Sequence, residues 1–243
     1  MDAATAFTRT TLHPLPTKKV TANDPREMNG WRRSRAVHDM ATDPEILGLL
    51  SELKGGRQPR PFQTVNFCRS PMKPLHSDLV HFDSLPTRGE MIAAWVALED
   101  VHTHAGPLTL YSGSHEAGFN DFEALGVSEP SVPIGANRIA ARDSHLEYYQ
   151  RYLRALRDRF EPRTDVFREM TIKRGQVLLW NGSLVHGSKP VADRNLTRMS
   201  QVAPSPPARV VTPQHSTCLP SPWPTSCRRR QLTCALRSRP RRR

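Results

Sequence analysis

Two residues whose side chains could do chemistry together, His76 and Asp78, lie two positions apart in this sequence. On an extended segment, residues i and i+2 project to the same face, so the imidazole and the carboxylate would lie side by side. A neutral imidazole and a carboxylate are two of the three ligands of the facial triad that binds Fe(II) and leaves positions open for substrate and O₂. The pair therefore predicts part of an iron site, which needs a second histidine from elsewhere in the chain.

His186 is the candidate for that second histidine. It follows an apolar run and a turn over residues 178–185, and a glycine comes directly after it. On the motif alone a second interpretation stays open, in which His76 is a hydrogen-bonded core or loop histidine. A His-x-Asp pattern arises by chance in many proteins, and this chain contains another at His81 and Asp83.

Arg198 is a candidate for binding a dicarboxylate co-substrate of such an iron site. It comes twelve residues after His186, and an arginine binds a carboxylate through a bidentate, permanently charged fork. Thr197 or Ser200 could add a hydroxyl contact. The alternative interpretation of Arg198 is a surface arginine on a strand, and Arg194 is the competing arginine, although its surroundings are typical of a loop.

Hydrophobic periodicity predicts a chain rich in β-strands that also contains two clear helices. The first helix begins at the N-cap Asp43 and ends at the glycine pair 55–56. The second begins with a capping box formed by Ser144 and Glu147 and continues to residue 160, with an arginine-rich face that is most simply solvated. The predicted strands are Phe62–Phe67, Met91–Leu98, Leu108–Tyr111, Val177–Trp180 and Leu196–Val202.

The order of the motifs resembles that of the phytanoyl-CoA dioxygenase family of Fe(II)/2-oxoglutarate oxygenases. The motifs are His76-Ser77-Asp78, Trp95–Asp100, Gly106–Leu108, Gly113–His115, His186-Gly187 and Thr197-Arg198. Each of them is weak alone, but the ordered set is specific and covers about residues 30–202. The resemblance implies a mainly β fold with flanking helices around a double-stranded β-helix, or jelly-roll, core.

The resemblance also implies a reaction and a set of site residues. The expected reaction hydroxylates an unidentified small organic substrate and releases succinate and CO₂, with Fe(II), 2-oxoglutarate and O₂ as cofactors and ascorbate as a stimulant. Because related halogenases replace the carboxylate ligand with a small residue, Asp78 favours hydroxylation or another oxidation over halogenation. The expected iron ligands and catalytic residues are His76, Asp78 and His186, and the expected 2-oxoglutarate contacts are Arg198, Thr197 and Ser200.

The sequence departs from the family pattern at two places. Ser112 stands where the family usually has a proline before Gly-Ser-His. After Val202, family members continue with an aromatic-rich strand, whereas this chain becomes rich in arginine and proline. The resemblance therefore predicts a jelly roll that is incomplete at its C-terminal end, which bears on whether this exact chain is active.

The net charge of +12 is concentrated in residues 203–243. These residues contain nine arginines, no lysine and no acid, so residues 1–202 carry about +3. Three interpretations stay open: a basic nucleic-acid-binding arm, a disordered appendage, or the product of a shifted reading frame, which we favour. The segment lacks the interleaved aromatic residues of a single-strand binding platform, so a nucleic-acid partner is not expected.

Three segments are expected along the chain. Residues 1–60 form an irregular and helical N-terminal segment that packs on the core, 61–202 form the oxygenase domain, and 203–243 form the disordered tail. No apolar run reaches the roughly 18 residues of a membrane-spanning helix, and the N-terminus lacks a signal-peptide pattern. We therefore expect a cytoplasmic protein with a small-molecule substrate and no membrane partner.

A cupin-type metal site built on His102 and His104 is the alternative chemical interpretation. That pair lacks a well-spaced glutamate and third histidine, and a polar loop before Gly106 suits it better. His115 is expected in a turn or beside the site, and not as a ligand. An inactive oxygenase homologue with an intact metal site and a damaged fold is a further alternative.

Overall fold

The computed structural model describes residues 3–6, 26–78, 90–116 and 143–206, with side chains from Tyr149 onward in the last of these ranges. The helices are α1 (Arg35–Ala41), α2 (Pro44–Leu53) and α3 (Asp143–Phe160), with 3-10 turns at Gly30–Arg32 and Thr103–Ala105. The strands are β1 (Arg26–Met28), β2 (Val65–Phe67), β3 (Ile92–Ala97), β4 (Leu108–Tyr111), β5 (Phe167–Met170), β6 (Val177–Asn181), β7 (His186–Ser188) and β8 (Ser200–Ser205).

Two antiparallel sheets form the core of the fold. The larger has the strand order β1-β2-β8-β3-β6, and the smaller has the order β5-β4-β7. Strands that are distant in sequence are neighbours in both sheets. In the larger sheet β8 lies between β2 and β3, and in the smaller sheet β4 pairs with β7. This crossing brings the C-terminal strand next to the strand that precedes the His-x-Asp motif.

Helices α1 and α2 cover the outer face of the larger sheet. Asp43 caps α2 as expected, because its carboxylate accepts hydrogen bonds from the backbone N–H groups of the first turn. Leu50 of α2 packs against Ile92 and Ala94 of β3, and Val37 of α1 packs against Ala203 of β8. The outer residues of β3 are therefore buried as completely as the inner ones, which explains the continuous apolar run in its sequence.

The space between the two sheets contains the central core. Trp95 and Trp180 point inward from the larger sheet, and Leu108 and Leu110 of β4 pack against them from the smaller one. On the far side of β4, Tyr111 contacts α3 through Phe160. The layers therefore run from α1 and α2 through the two sheets to α3. In α3, Tyr152, Leu156 and Phe160 are buried, while the arginines of its predicted solvated face are exposed.

Most of the predicted elements are present, with differences at their ends. The strands expected at 91–98, 108–111 and 177–180 are β3, β4 and β6. Residues 62–64, expected to be extended into a strand, lie outside the ladder, and β5 and β7 were not predicted. The N-terminal segment, expected to be irregular and helical, also contains a strand, since β1 pairs with β2, and a further helix, α1, which Ser34 caps.

The end of β8 differs from the expected boundary at Val202. Ala203, Pro204 and Ser205 pair in register with Ala94, Ala93 and Ile92. The change of composition after Val202 therefore falls inside a strand, and the first residues of the expected tail belong to the sheet. Residues 207–243 lie outside the described part of the chain. None of the helices in the described ranges is long and apolar enough to cross a membrane.

Candidate metal centre

Two histidines distant in sequence, His76 and His186, are joined by a two-residue antiparallel bridge. Each backbone N–H donates to the carbonyl oxygen of the other, at 2.8 Å in both directions. Gly187 permits this approach, because a Cβ at that position would lie 3.2 Å from the carbonyl oxygen of Lys73 and 3.3 Å from the nitrogen of Leu75. The bridge brings the two imidazole rings to a centroid separation of 4.4 Å.

The tautomer of each imidazole is set by a backbone carbonyl two residues earlier. Nδ1 of His76 donates to the oxygen of Pro74 at 2.8 Å, and Nδ1 of His186 donates to the oxygen of Leu184 at 2.9 Å. Because a carbonyl oxygen only accepts, each Nδ1 carries a hydrogen, and in the neutral imidazole the lone pair is therefore on Nε2. Both rings are buried, so both Nε2 atoms are available as metal ligands that are already oriented.

Asp78 completes the group. Its Oδ1 lies 3.8 Å from Nε2 of His76 and 3.8 Å from Nε2 of His186, and its Oδ2 accepts a hydrogen bond of 3.0 Å from Nε1 of Trp180. All three ligand atoms lie within 4.8 Å of one another. Within the described ranges, this is the one group of three or more histidine, cysteine or acidic residues that could hold a metal ion.

The segment between the two ligands is fixed from α3. The hydroxyl of Tyr152 accepts a hydrogen bond of 3.1 Å from the backbone N–H of Ser77 and lies 2.8 Å from the Ser77 hydroxyl. Burial raises the pKa of Tyr152 to about 12, although these hydrogen bonds oppose the shift. The phenol is therefore neutral at physiological pH, and it holds the residue that separates His76 from Asp78.

Arg198 is buried and lines a cavity that the three potential metal-binding residues also line. Its side chain is 1% exposed, its Nη1 donates to the carbonyl oxygen of Gly106 at 2.9 Å, and its guanidinium carbon lies 5.7 Å from the centre of the Trp95 ring. Gly106 has φ +70°, and a Cβ there would lie 2.9 Å from Ser70 and from Val191. Glycine at this position therefore lets the loop present its carbonyl to the guanidinium.

The two hydroxyl residues beside Arg198 occupy different places. Thr197 donates to Oε2 of Glu99 at 2.9 Å and does not line the cavity. Ser200 does not line the cavity either. It lies on the same face of β8 as Val202, which does line it, and the Ser200 hydroxyl is buried with no hydrogen-bond partner among the described residues. Of the two hydroxyls, Ser200 is thus the one placed on the side of the site.

A cavity of about 490 Å³ joins the three potential ligands to Arg198. A pocket of this size suits a small-molecule ligand. Its walls come from both sheets and from Tyr149 of α3, and Asp78 is its one acidic residue among the described residues. The contributions of Trp180, Tyr149 and Tyr152 were missed in the sequence, because the partners of an aromatic residue are set by tertiary packing.

The other candidate residues lie elsewhere. His102 and His104 are exposed around a 3-10 turn and contact one another, and the described ligand group does not include them. His115 lies near Glu116 on the surface, and Arg194 is exposed. His81 and Asp83 lie outside the described residues, and so do the side chains of the predicted capping box.

Comparison with known families gives one match that covers most of the chain. The family model described as phytanoyl-CoA dioxygenase (PhyH) matches residues 2–198. No curated protein matches the chain.

Solved structures support the same fold. The carbocyclase SnoK from nogalamycin biosynthesis, described as non-heme and alpha ketoglutarate dependent, is 18% identical with a TM-score of 0.53, covering 75% of this chain and 64% of that one. The epimerase SnoN in complex with Fe³⁺, alpha ketoglutarate and nogalamycin RO is 20% identical with a TM-score of 0.54, covering 84% and 73%. HygX from Streptomyces hygroscopicus with nickel and 2-oxoglutarate bound is 16% identical with a TM-score of 0.54, covering 85% and 78%.

These likenesses confirm the predicted fold class, a mainly β jelly-roll core with flanking helices. This chain spans 64% of the length of SnoK.

Proposed function

The chain belongs to the phytanoyl-CoA dioxygenase family, and we propose that it is an Fe(II)/2-oxoglutarate-dependent oxygenase that hydroxylates a small organic substrate. The observation that carries this proposal is the group of three ligand atoms from His76, Asp78 and His186 within 4.8 Å, in a cavity that also contains a buried arginine. Two imidazoles and one carboxylate are the donor set that non-haem Fe(II) oxygenases use.

The residues present fit a metal ion. Both imidazoles carry their hydrogen on Nδ1 and offer Nε2, and Trp180 binds one carboxylate oxygen of Asp78, which leaves Oδ1 toward the two rings. When bound, Fe(II) would supply the redox chemistry that couples decarboxylation of 2-oxoglutarate to oxidation of the substrate. The protein's part is to hold the ligands, orient the two small molecules and exclude water.

The residues around Arg198 fit 2-oxoglutarate. A buried guanidinium binds a carboxylate strongly, because the charge-assisted hydrogen bonds are not weakened by solvent. We propose that Arg198 binds the C5 carboxylate of 2-oxoglutarate and that the Ser200 hydroxyl contributes to this end of the cavity. The unpartnered Ser200 hydroxyl supports this assignment. The contact with Glu99 makes the same role unsuitable for Thr197.

We propose an N-terminal segment of residues 1–60, followed by an oxygenase domain that begins at residue 61 and ends later than Val202. Because Ala203–Ser205 pair with β3, we propose that the oxygenase core extends to residue 206. A variant that removes only the arginine-rich segment should therefore end at Pro206.

The metal assignment can be tested without turnover. Addition of Mn(II) or Ni(II) at about 100 times the Kd should stabilise the protein by about 2.7 kcal/mol, seen as a rise in Tm. His76→Ala should abolish this rise, whereas His104→Ala, which removes an exposed histidine outside the group, should keep it. An equal rise in Tm for both variants would exclude the proposed ligand set.

The activity itself is tested by release of succinate from 2-oxoglutarate in the presence of Fe(II) and O₂. The wild type should release succinate even without its substrate, at the slow uncoupled rate, and His76→Ala should not. Equal release by the two proteins would contradict the proposed function.

A further inference from the structure

We propose that the substrate of this site is an organic anion, a carboxylate or a phosphate ester, whose charged group is bound by Arg26 and Lys73. The inference rests on the proposed function, since it concerns the part of the cavity that the metal and 2-oxoglutarate leave over. Both side chains line the same cavity as the three ligands and Arg198.

The charges of the cavity carry this inference. A divalent ion, the Asp78 carboxylate and the Arg198 guanidinium together carry two positive charges, which the two carboxylates of 2-oxoglutarate neutralise. Arg26 and Lys73 then add two further positive charges, and no other acidic residue among the described residues lines the cavity. Within the described part of the chain, neither cation has an ion-pair partner. A bound anion would supply the missing countercharge.

The two cations come from different parts of the fold. Arg26 is on edge strand β1, paired with Phe67 of β2, which in turn pairs with Ser200 of β8. It therefore lies two strands from the Ser200 position, about 10 Å at the usual strand spacing. Lys73 belongs to the segment that leads into His76, and its carbonyl accepts a hydrogen bond from Ser188 of β7. Arg26 is thus separated by β2 from Ser200 and the neighbouring Arg198.

Lys73 and Arg26 are close enough to affect each other. Burial, and then the nearby charge of Arg26, lower the pKa of Lys73, and Asp78 acts in the opposite direction. Lys73 is partly buried, whereas Arg26 is exposed. Two like charges held near each other are unfavourable, most of all where one of them is partly shielded from solvent. An anion between them would relieve this repulsion and form charge-assisted hydrogen bonds with both.

The neighbouring wall indicates what the rest of the anion is like. The lining residues of strands β1, β2 and β8 in the larger sheet are mostly apolar, with the polar Gln63 just before β2: Met28, Val65, Phe67, Val202 and Pro204. Apolar surface of this kind binds hydrocarbon better than polar groups. The expected substrate therefore has an apolar body and one anionic end.

Matched probes test this inference. Octanoate, octyl phosphate and the neutral octanamide would be titrated calorimetrically into the protein loaded anaerobically with Ni(II) and 2-oxoglutarate. We expect at least one of the two anions to bind about tenfold or more tightly than octanamide. The better anion identifies a carboxylate or a phosphate as the preferred group.

Variants locate the effect. A double variant with Arg26→Gln and Lys73→Gln should bind the preferred anion at least tenfold more weakly and octanamide unchanged, which also shows that the cavity is intact. Arg151→Gln removes one exposed charge of α3 outside the cavity and should change neither affinity. An equal affinity for all three probes in the wild type, or an unchanged anion affinity in the double variant, would overturn the inference. Failure of the wild type to bind Ni(II) and 2-oxoglutarate would instead contradict the proposed function.

Discussion

The indole Nε1 of Trp180 donates a hydrogen bond of 3.0 Å to Oδ2 of Asp78. Asp78 lies 102 residues before Trp180, in the segment that also contains His76, whereas Trp180 belongs to β6 of the larger sheet. The bond fixes the rotation of the carboxylate, so that Oδ1 is equidistant from the two imidazole nitrogens. The sheet thereby orients the carboxylate of a proposed metal-binding residue that it does not itself contain.

Trp180→Phe should weaken metal binding. The ring remains in the core, but the hydrogen bond that orients Asp78 is lost, and loss of such an outer partner typically costs about 10- to 100-fold in metal affinity. Calorimetric titration with Ni(II) measures the change. Trp31→Phe is the matched control, because Trp31 and Trp180 are both 7% exposed and Trp31 lies in a different core cluster. An equal loss in both variants would contradict the positioning role.

Arg198→Lys should weaken binding of 2-oxoglutarate while keeping the positive charge. An ammonium replaces the planar fork by a point charge, so one of two charge-assisted hydrogen bonds is lost. At about 1.5 to 3 kcal/mol for such a bond, the KM for 2-oxoglutarate should rise by roughly 10- to 100-fold. Arg194→Lys changes an exposed arginine and should have no effect. A rise in KM for Arg194→Lys alone would assign the co-substrate to the competing arginine.

Gly106→Ala should destabilise the protein more than Gly113→Ala. Both glycines have positive φ, but a Cβ on Gly106 would meet Ser70 and Val191 at 2.9 Å, whereas none of the described atoms lies within 4 Å of one on Gly113. Backbone strain costs about 1 to 2 kcal/mol at either position, and overpacking adds about 1 to 3 kcal/mol at Gly106 alone. Urea unfolding measures both. Equal losses of stability in the two variants would show that the loop around Gly106 accommodates the methyl group without moving the carbonyl that binds Arg198.

Tyr152→Phe should destabilise the protein at neutral pH by about 1 to 3 kcal/mol, because the backbone N–H of Ser77 loses its buried partner. The difference from wild type should shrink at high pH. The folded-state pKa of Tyr152, about 12, lies above the ordinary value of 10.0, so its contribution to stability is complete below pH 10. That contribution is lost as the pH rises from 10 to 12.

Unfolding by urea at pH 8 and pH 11 measures this effect of Tyr152. Wild type should lose more stability than the phenylalanine variant between the two values. A constant difference between them would show that the buried phenol does not titrate in this range.

The sequence predicted elements best where local pattern and burial agree. The run of β3 is apolar at every position because both faces of the strand are covered, and α2 carries its own start signal in Asp43. The sequence pattern did not predict β7. Its three residues carry only local signals of a turn, and they form a strand because they pair with β4. The pattern also placed the end of β8 too early, because Pro204 and its neighbours are held by the register with β3 and not by their own propensity.

At the site, the sequence was enough to predict the residue types of the three proposed metal ligands, the placement of His76 and Asp78 on one segment, and an arginine following His186. These features depend on residue type and short spacing, which sequence contains directly. The folded structure was needed to show that His76 and His186 meet through a backbone bridge, that Trp180 and Tyr152 hold the segment with His76 and Asp78, and that Arg26 and Lys73 line the same cavity. The physical reason is that hydrogen bonds and cavity walls between residues far apart in the chain are set by sheet order and register, which no local pattern specifies.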